Sequence, residues 1–150
     1  MITVPASELV DHVGEETGVS DWVEIDQDRI DAFAEATMDH QFIHVNPELA
    51  AQTAMGSTVA HGFLTLSLVS ALAEMVSPKE TVFALNYGVD RVRFLDPVKV
   101  GSRVRARTTL TDVREKGPGR WLVTNEVTME IEGLDKPAMV AETLTMFITG

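Results

Sequence analysis

The sequence predicts an α+β fold in which an antiparallel sheet wraps around one long central helix. The chain has 150 residues, a length typical of one domain, so residues 1–150 are predicted to form a single unit. Segment 63–76 follows a His-Gly pair and is apolar on nearly all sides, as expected of a buried helix. The remainder reads as consecutive long strands, which leave no room for the crossovers of a parallel sheet.

The first half of the chain predicts short elements. An aspartate can cap the first helix, and Asn46-Pro47 suits the start of the second, because proline is favoured in the first turn. Residues 37–47 show no clear period and indicate an irregular loop. In chain order the predicted elements are a strand over 20–25, a helix from Asp26 or Asp28 to about Ala36, this loop, and a short helix over 47–53.

The second half predicts the central helix and four strands. The helix should extend over 62–77 and end at Ser77-Pro78, because a residue that precedes proline disfavours helical backbone. In strand 120–132 apolar residues alternate with glutamates, so one face should be buried and the other exposed. The strands are predicted at 81–95, 102–114, 120–132 and 138–148, with turns at Gly117-Pro118-Gly119 and Gly133.

Composition excludes several classes of function. Apolar residues make up 45% and charged residues 23%, which is typical of globular proteins. The net charge of −11 argues against nucleic acid or an anionic membrane surface as a partner. The absence of cysteine excludes disulfides and thiolate nucleophiles. The N-terminus does not resemble a signal peptide, and the longest apolar segment is too short to span a membrane, so a cytoplasmic protein is expected.

Asp39 and His44 lie in the predicted loop before the central helix. A loop allows the two side chains to converge on one water, from which one group removes a proton while the other delivers one. Such residues also commonly serve only turns and hydrogen bonds. His61-Gly62 opens the central helix, where unpaired N–H groups could stabilise a carbonyl oxygen that becomes negative. Alternatively, Gly62 only permits the turn and His61 only caps the helix.

These segments resemble the MaoC-like dehydratases, a family that includes the (R)-specific enoyl-CoA hydratases. The likeness covers the whole chain and is greatest for single-domain members related to nodulation protein N. It is carried by Asp39-(four residues)-His44-Val45-Asn46-Pro47, by Ala60-His61-Gly62-Phe63-Leu64-Thr65, and by Asn86-Tyr87-Gly88-(two residues)-Arg91-Val92-Arg93-Phe94-Leu95-(one residue)-Pro97-Val98.

The resemblance implies a hot-dog fold and reversible hydration of a trans-2-enoyl thioester to the (3R)-hydroxyacyl thioester. Asp39 and His44 match the catalytic dyad, Gly62 matches the glycine whose N–H polarises the thioester carbonyl, and Ser70 matches a serine that supports the dyad. Ser70 could equally be a small residue that permits packing. The substrate would be a thioester of coenzyme A or acyl-carrier protein, with no other cofactor. A homodimer is expected, because it would cover the exposed sheet edges.

The chain departs from the family pattern in the loop. That pattern commonly reads Gly-Asp-x-Asn-Pro-aliphatic-His, whereas here Met38 precedes Asp39 and Gln41-Phe42 replaces Asn-Pro. The spacing between Asp39 and His44 is intact. Gln41 is therefore expected to alter a hydrogen bond to the substrate or to Asp39 rather than the chemistry.

Other uses of these residues remain open or are disfavoured. Asp39, His40, His44 and His61 could bind a metal, but the chain lacks an HExxH motif and facial-triad spacing, so no metal is expected. A serine hydrolase would need a Gly-x-Ser-x-Gly turn, which the sequence also lacks. A hot-dog thioesterase and an acyl-binding module without turnover remain alternatives.

Arginines alternate along two predicted strands. Arg103, Arg105 and Arg107 share one face of a strand, and Arg91 and Arg93 repeat the pattern. Like charges so close together destabilise a sheet unless they are solvated or paired. These arginines could bind the phosphates of coenzyme A. The more ordinary alternative for each is an exposed sheet face.

Overall fold

A computed structural model describes residues 2–150 and shows short elements followed by four long strands. A 3₁₀ helix, Ala6–His12, follows the first strand. The strands are β1 (Ile2–Val4), β2 (Glu16–Val19), β3 (Val23–Glu24), β4 (Val76–Pro78), β5 (Thr81–Phe94), β6 (Arg103–Gly117), β7 (Arg120–Ile131) and β8 (Met139–Thr149). The helices are α1 (Gln27–Thr37), α2 (Phe42–Val45), α3 (Pro47–Ala51), α4 (Gly62–Ser67) and α5 (Val69–Leu72).

The main sheet has six antiparallel strands. Its order is β2-β6-β7-β8-β5, and β3 pairs with β6 beside β2. The β6–β7 turn contains Gly119, whose positive φ of 69° suits a residue without a side chain. All four predicted long strands are present, so the predicted α+β fold is confirmed. Among residues 2–150, no helix is long and apolar enough to cross a membrane.

Strand β7 shows how a sequence period becomes a packed face. Val123, Val127 and Met129 are fully buried, whereas Glu126 points to solvent. Val127 and Met129 form the main core with Ile30 of α1 and other residues, whereas Val123 belongs to a second core. The alternation predicted from the sequence is therefore confirmed from Glu126 to Ile131, whereas residues 122–125 are all buried. The helices cover one face of the sheet.

The predicted extent of the central helix is wrong. Helix α4 ends at Ser67, and α5 ends at Leu72, several residues before the predicted end. Residues 76–78 instead form β4, which pairs in parallel with β1. Val76 in this strand is fully buried in a second core with Leu9 of the 3₁₀ helix. Burial of Val76 against the N-terminal segment favours extended backbone where a helix was expected.

The short elements near the N-terminus agree only in part with the prediction. The expected strand over 20–25 corresponds to β3, which is shorter, and β2 precedes it. Asp26 caps α1 by accepting a hydrogen bond from the N–H of Arg29 at 2.9 Å, as expected of an aspartate at this position. The irregular loop contains the short helix α2, which brings His44 into the protein interior.

Candidate active site

The loop that carries Asp39 begins where α1 ends. Met38 caps α1 in the left-handed conformation, with φ of 61°, and its side chain is 84% exposed. Asp39 follows and is also exposed. Its Oδ1 accepts a 3.4 Å hydrogen bond from the backbone N–H of Gln41, the residue that precedes α2. The reversal at Met38 therefore turns the chain toward α2, and Asp39 lies in the exposed connection between the two helices.

His44 lies in α2 and is only 7% exposed. Its Nδ1 lies 2.7 Å from the carbonyl oxygen of Val59. A carbonyl oxygen only accepts hydrogen bonds, so Nδ1 carries the hydrogen of the neutral ring. The other ring nitrogen, Nε2, then keeps its lone pair. The contact with Val59 thus gives His44 the tautomer that a general base requires.

His61 stacks against His44. The two ring centroids lie 3.8 Å apart, with an angle of 22° between the ring planes. Phe33 lies against the His61 ring at a centroid distance of 5.0 Å. The Nε2–H of His61 donates to the backbone carbonyl of Asp39 at 2.9 Å. His61 therefore contacts both residues of the predicted dyad.

The side chains of Asp39, His44 and His61 converge. One carboxylate oxygen of Asp39 and one ring nitrogen each of His44 and His61 lie within 4.8 Å of one another. A single water can contact two such atoms at once, because each hydrogen bond is about 2.8 Å long. The structure therefore brings Asp39 and His44 together as the sequence predicted, although the first is exposed and the second is buried.

Gly62 begins α4 and lines a cavity of about 300 Å³ with His44 and Thr65. The opposite wall includes Phe94, Pro97 and Val98. A Cβ at position 62 would lie 3.1 Å from three carbons of the Phe94 ring, which is tighter than ordinary van der Waals contact. The N–H of Gly62 has no acceptor within its own helix, because it is the first helical residue. Glycine at position 62 therefore leaves space next to a backbone N–H that has no acceptor within its helix.

The structure does not bring all predicted residues together. Gln41 contacts Asp39 through its backbone, and its side chain is exposed, so this hydrogen bond does not depend on residue type. Ser70 lines a different cavity of about 310 Å³, where its Oγ accepts a 3.3 Å hydrogen bond from Asn86. Ser70 lies in α5, eight residues after Gly62 and beyond the break between α4 and α5 at Leu68. Within this single chain, Ser70 is not part of the Asp39 cluster.

Two residues of the site were missed or misjudged from the sequence. Thr65 is 4% exposed and lines the cavity, one helical turn beyond Gly62. The alternative that His61 only caps α4 is wrong, because its side chain makes no capping hydrogen bond. The position of His61 directly before Gly62 was the available signal. Its contact with Asp39 depends on a fold that joins residues 22 positions apart.

The arginines of β6 are paired with acidic residues. Arg103 contacts Glu132 at 3.0 Å, whereas Arg105 and Arg107 both contact Glu130 at 2.6 and 2.8 Å. Burial opposes ionisation of Glu130, but hydrogen bonds from Arg107 and Arg105 hold its pKa below the usual range. These charges are already matched across the sheet. The arrangement favours the exposed sheet face over a phosphate site.

Comparisons with known proteins identify the family of the chain. The family described as the MaoC like domain matches residues 8–131. The chain is 50% identical over 143 residues to nodulation protein N of Rhizobium leguminosarum bv. viciae, covering 93% of this chain and 89% of that protein. It is 47% identical over 143 residues to 3-hydroxyacyl-thioester dehydratase Z of Mycobacterium tuberculosis, covering 95% of each.

Solved structures give the same result for the fold. The (R)-hydratase from A. caviae involved in PHA biosynthesis matches with a TM-score of 0.72 and 26% identity, covering 89% of this chain and 94% of the other. The predicted hot-dog fold is therefore confirmed. Because the family match, the sequence relatives and the fold all agree, the chain belongs to the MaoC-like dehydratase family.

Proposed function

We propose that this protein is a hydro-lyase that reversibly hydrates trans-2-enoyl-CoA to the (3R)-hydroxyacyl thioester. The observation that carries the proposal is the convergence of the Asp39 carboxylate with His44, which lines a cavity together with Gly62. Family membership supports it, because relatives include a named 3-hydroxyacyl-thioester dehydratase and a named (R)-specific enoyl-CoA hydratase.

The proposed reaction begins with a water held between Asp39 and His44. The water oxygen attacks C3 of the enoyl group while one of its hydrogens passes to the dyad. The π electrons of the C2–C3 bond move toward the thioester, and the N–H of Gly62 stabilises the negative oxygen that forms. C2 then receives a proton from the dyad, which restores its starting state. General acid–base catalysis contributes about 10²–10⁴-fold, and one oxyanion donor about 10²–10³-fold.

The substrate is proposed to be a thioester of coenzyme A or acyl-carrier protein. The cavity beside His44 and Gly62 is lined by Ile43, Phe94 and Val98, among other apolar residues, and can hold the reacting end of an acyl chain. The reaction moves only water, so it requires no redox cofactor. Coenzyme A takes part only as a portion of the substrate.

The cluster of Asp39, His44 and His61 is poorly arranged for a metal ion. The lone pair of an imidazole nitrogen lies in the plane of the ring. The ring planes of His44 and His61 are inclined by 22°, and the ring centroids lie 3.8 Å apart. The two planes therefore intersect much farther from the rings than the ~2.1 Å length of a metal–nitrogen bond. One ion therefore cannot lie in both ring planes. This geometry supports acid–base chemistry over metal chemistry.

We further propose that the active form is a homodimer joined along β5. This strand has a neighbour, β8, on one side only, and forms an edge of the main sheet. Val82, Leu85 and Tyr87 on it are 66%, 52% and 58% exposed. A long apolar edge favours pairing with another strand. Light scattering should show a dimer, and Leu85→Lys should shift it toward monomer. A monomeric wild-type protein would contradict this proposal.

The central experiment measures hydration of crotonyl-CoA as loss of enoyl absorbance, with chiral analysis of the product. Asp39→Asn and His44→Gln should each reduce kcat by at least about 10²-fold, because each removes an acid–base group. His40→Gln is the matched control, since His40 lies in the same loop, is half exposed, and contacts only Glu35 at 3.6 Å among ion pairs of residues 2–150.

The same assay separates the alternatives. Release of free coenzyme A without loss of enoyl absorbance would indicate a thioesterase. Thermal stabilisation by the ligand without any product would indicate a binding module. Near wild-type hydration by either dyad variant would refute the mechanism.

A further inference from the structure

We propose that His61 is a positioning residue, which holds Asp39 in place through a hydrogen bond to its backbone. The inference rests on the proposed function, because Asp39 is assigned to catalysis there. His61 is 3% exposed and lies directly before Gly62. No role for it follows from the hydration mechanism itself.

The hydrogen bond from His61 fixes an otherwise exposed loop. Asp39 and its neighbours Met38 and His40 are all exposed, so little packing restrains them. The Nε2–H of His61 donates to the Asp39 carbonyl at 2.9 Å. Among residues 2–150, the side chain of Asp39 is held by the long 3.4 Å hydrogen bond from the backbone N–H of Gln41. The buried imidazole is therefore the firmer of the two anchors.

The backbone around His61 is anchored without its side chain. The N–H of Val59 donates to Ile43 at 3.0 Å, and the N–H of Ala60 donates to Val98 at 2.8 Å. The carbonyl of His61 accepts from Thr65 as α4 begins. Replacing the side chain should therefore leave this segment folded.

The remaining nitrogen of His61 argues against a purely structural role. Because Nε2 donates its hydrogen, Nδ1 of the neutral ring carries a lone pair. Nδ1 is buried and has no hydrogen-bond partner among residues 2–150. A buried acceptor without a partner destabilises a protein. Among residues 2–150, the polar contact that the His61 ring makes is therefore the Nε2–H bond to Asp39, while its ring packs on His44 and Phe33.

Two substitutions separate the hydrogen bond from the ring. His61→Gln keeps an N–H donor near the position of Nε2 but removes the ring. His61→Phe keeps a ring that can stack on His44 but removes the donor. His40→Gln, in the same loop, is the control for a general effect of losing a histidine.

We expect His61→Phe to reduce kcat by about 10- to 100-fold with less than about threefold change in KM, as for a displaced catalytic group. His61→Gln should keep most of kcat. Amide exchange of residues 38–41 should increase in the Phe variant and stay near wild type in the Gln variant. Thermal unfolding of both variants should remain near that of wild type.

The proposal is overturned if the Phe variant keeps wild-type kcat and loop protection, or if the Gln variant is as impaired as the Phe variant. It is also overturned if activity falls only in parallel with the melting temperature. Failure of the proposed function is a separate result, seen as no hydration by wild type. The exchange measurement tests the loop contact in that case as well.

Discussion

Replacing Gly62 with alanine should impair catalysis while leaving stability almost unchanged. The new methyl group would lie 3.1 Å from three carbons of the Phe94 ring. Phe94 is 47% exposed, so the ring can move by a few tenths of an ångström with little loss of core packing. That movement narrows the cavity beside the Gly62 N–H, where the thioester carbonyl is proposed to bind.

The stability terms for Gly62→Ala have opposite signs. Replacing glycine with alanine where the backbone is compatible stabilises a protein by about 0.4–1 kcal/mol, chiefly by reducing the entropy of the unfolded chain. Moving a partly exposed ring costs about 1 kcal/mol, at the low end of the cost of overpacking. Their sum is close to zero, so urea midpoints should agree within error. Loss of one oxyanion contact should lower kcat/KM by about 10²–10³-fold.

A second substitution tests whether the Phe94 ring causes the loss. Phe94→Leu removes ring atoms that the new methyl group would meet, so the double variant should recover part of the activity lost in Gly62→Ala. Stopped-flow or absorbance assays with crotonyl-CoA give all four corners of this double-mutant cycle. Wild-type activity in Gly62→Ala, or strictly additive effects, would refute the argument.

Three further predictions concern stability. Met38→Gly should stabilise the protein by up to about 1 kcal/mol in urea titrations, because a left-handed φ of 61° strains a residue that has a Cβ. Asn125→Leu should stabilise by about 1–3 kcal/mol, since both polar atoms of Asn125 are buried without a partner among residues 2–150; a lower melting temperature would contradict this. Glu130→Gln should destabilise by about 1 kcal/mol at neutral pH. Hydrogen bonds from Arg107 and Arg105 lower the pKa of Glu130 in the folded state. The ionised Glu130 therefore stabilises the fold fully above the ordinary glutamate pKa, and this stabilisation is lost as the pH falls through the pKa of the folded state. Unfolding curves of wild type and Glu130→Gln should therefore converge in acid.

The parts of the fold that were predicted correctly depend on residues that are close together in the chain. The period of β7 and the capping of α1 by an aspartate are visible over a few residues. The period is confirmed from Glu126 to Ile131, and Asp26 is the cap of the two candidates, Asp26 and Asp28. The end of the central helix was not predicted correctly, because Val76 becomes extended to pack on Leu9, which is distant in the chain. Ser70 was assigned to the site by family likeness, yet in the single chain it faces the cavity that contains Asn86.

The loop shows why the departures from the family pattern leave the site geometry intact. Gln41 contacts Asp39 through its backbone N–H, which an asparagine would also offer. Met38 adopts the left-handed conformation that a glycine would adopt more easily, so the substitution affects strain more than geometry. Phe42, in place of proline, continues into α2. The backbone path, rather than these side chains, sets the position of Asp39.

A single extended segment orients every group in the proposed mechanism. The carbonyl of Val59 fixes the tautomer of His44, and the next-but-one residue, His61, holds the backbone of Asp39. Gly62 lines the same cavity as His44 and Val59. Acid–base groups from a loop and an oxyanion donor from a helix can act on one substrate only if their spacing is fixed. Here residues 59–62 fix that spacing, because they contact the side chain of His44 and the backbone of Asp39 and form the start of the helix.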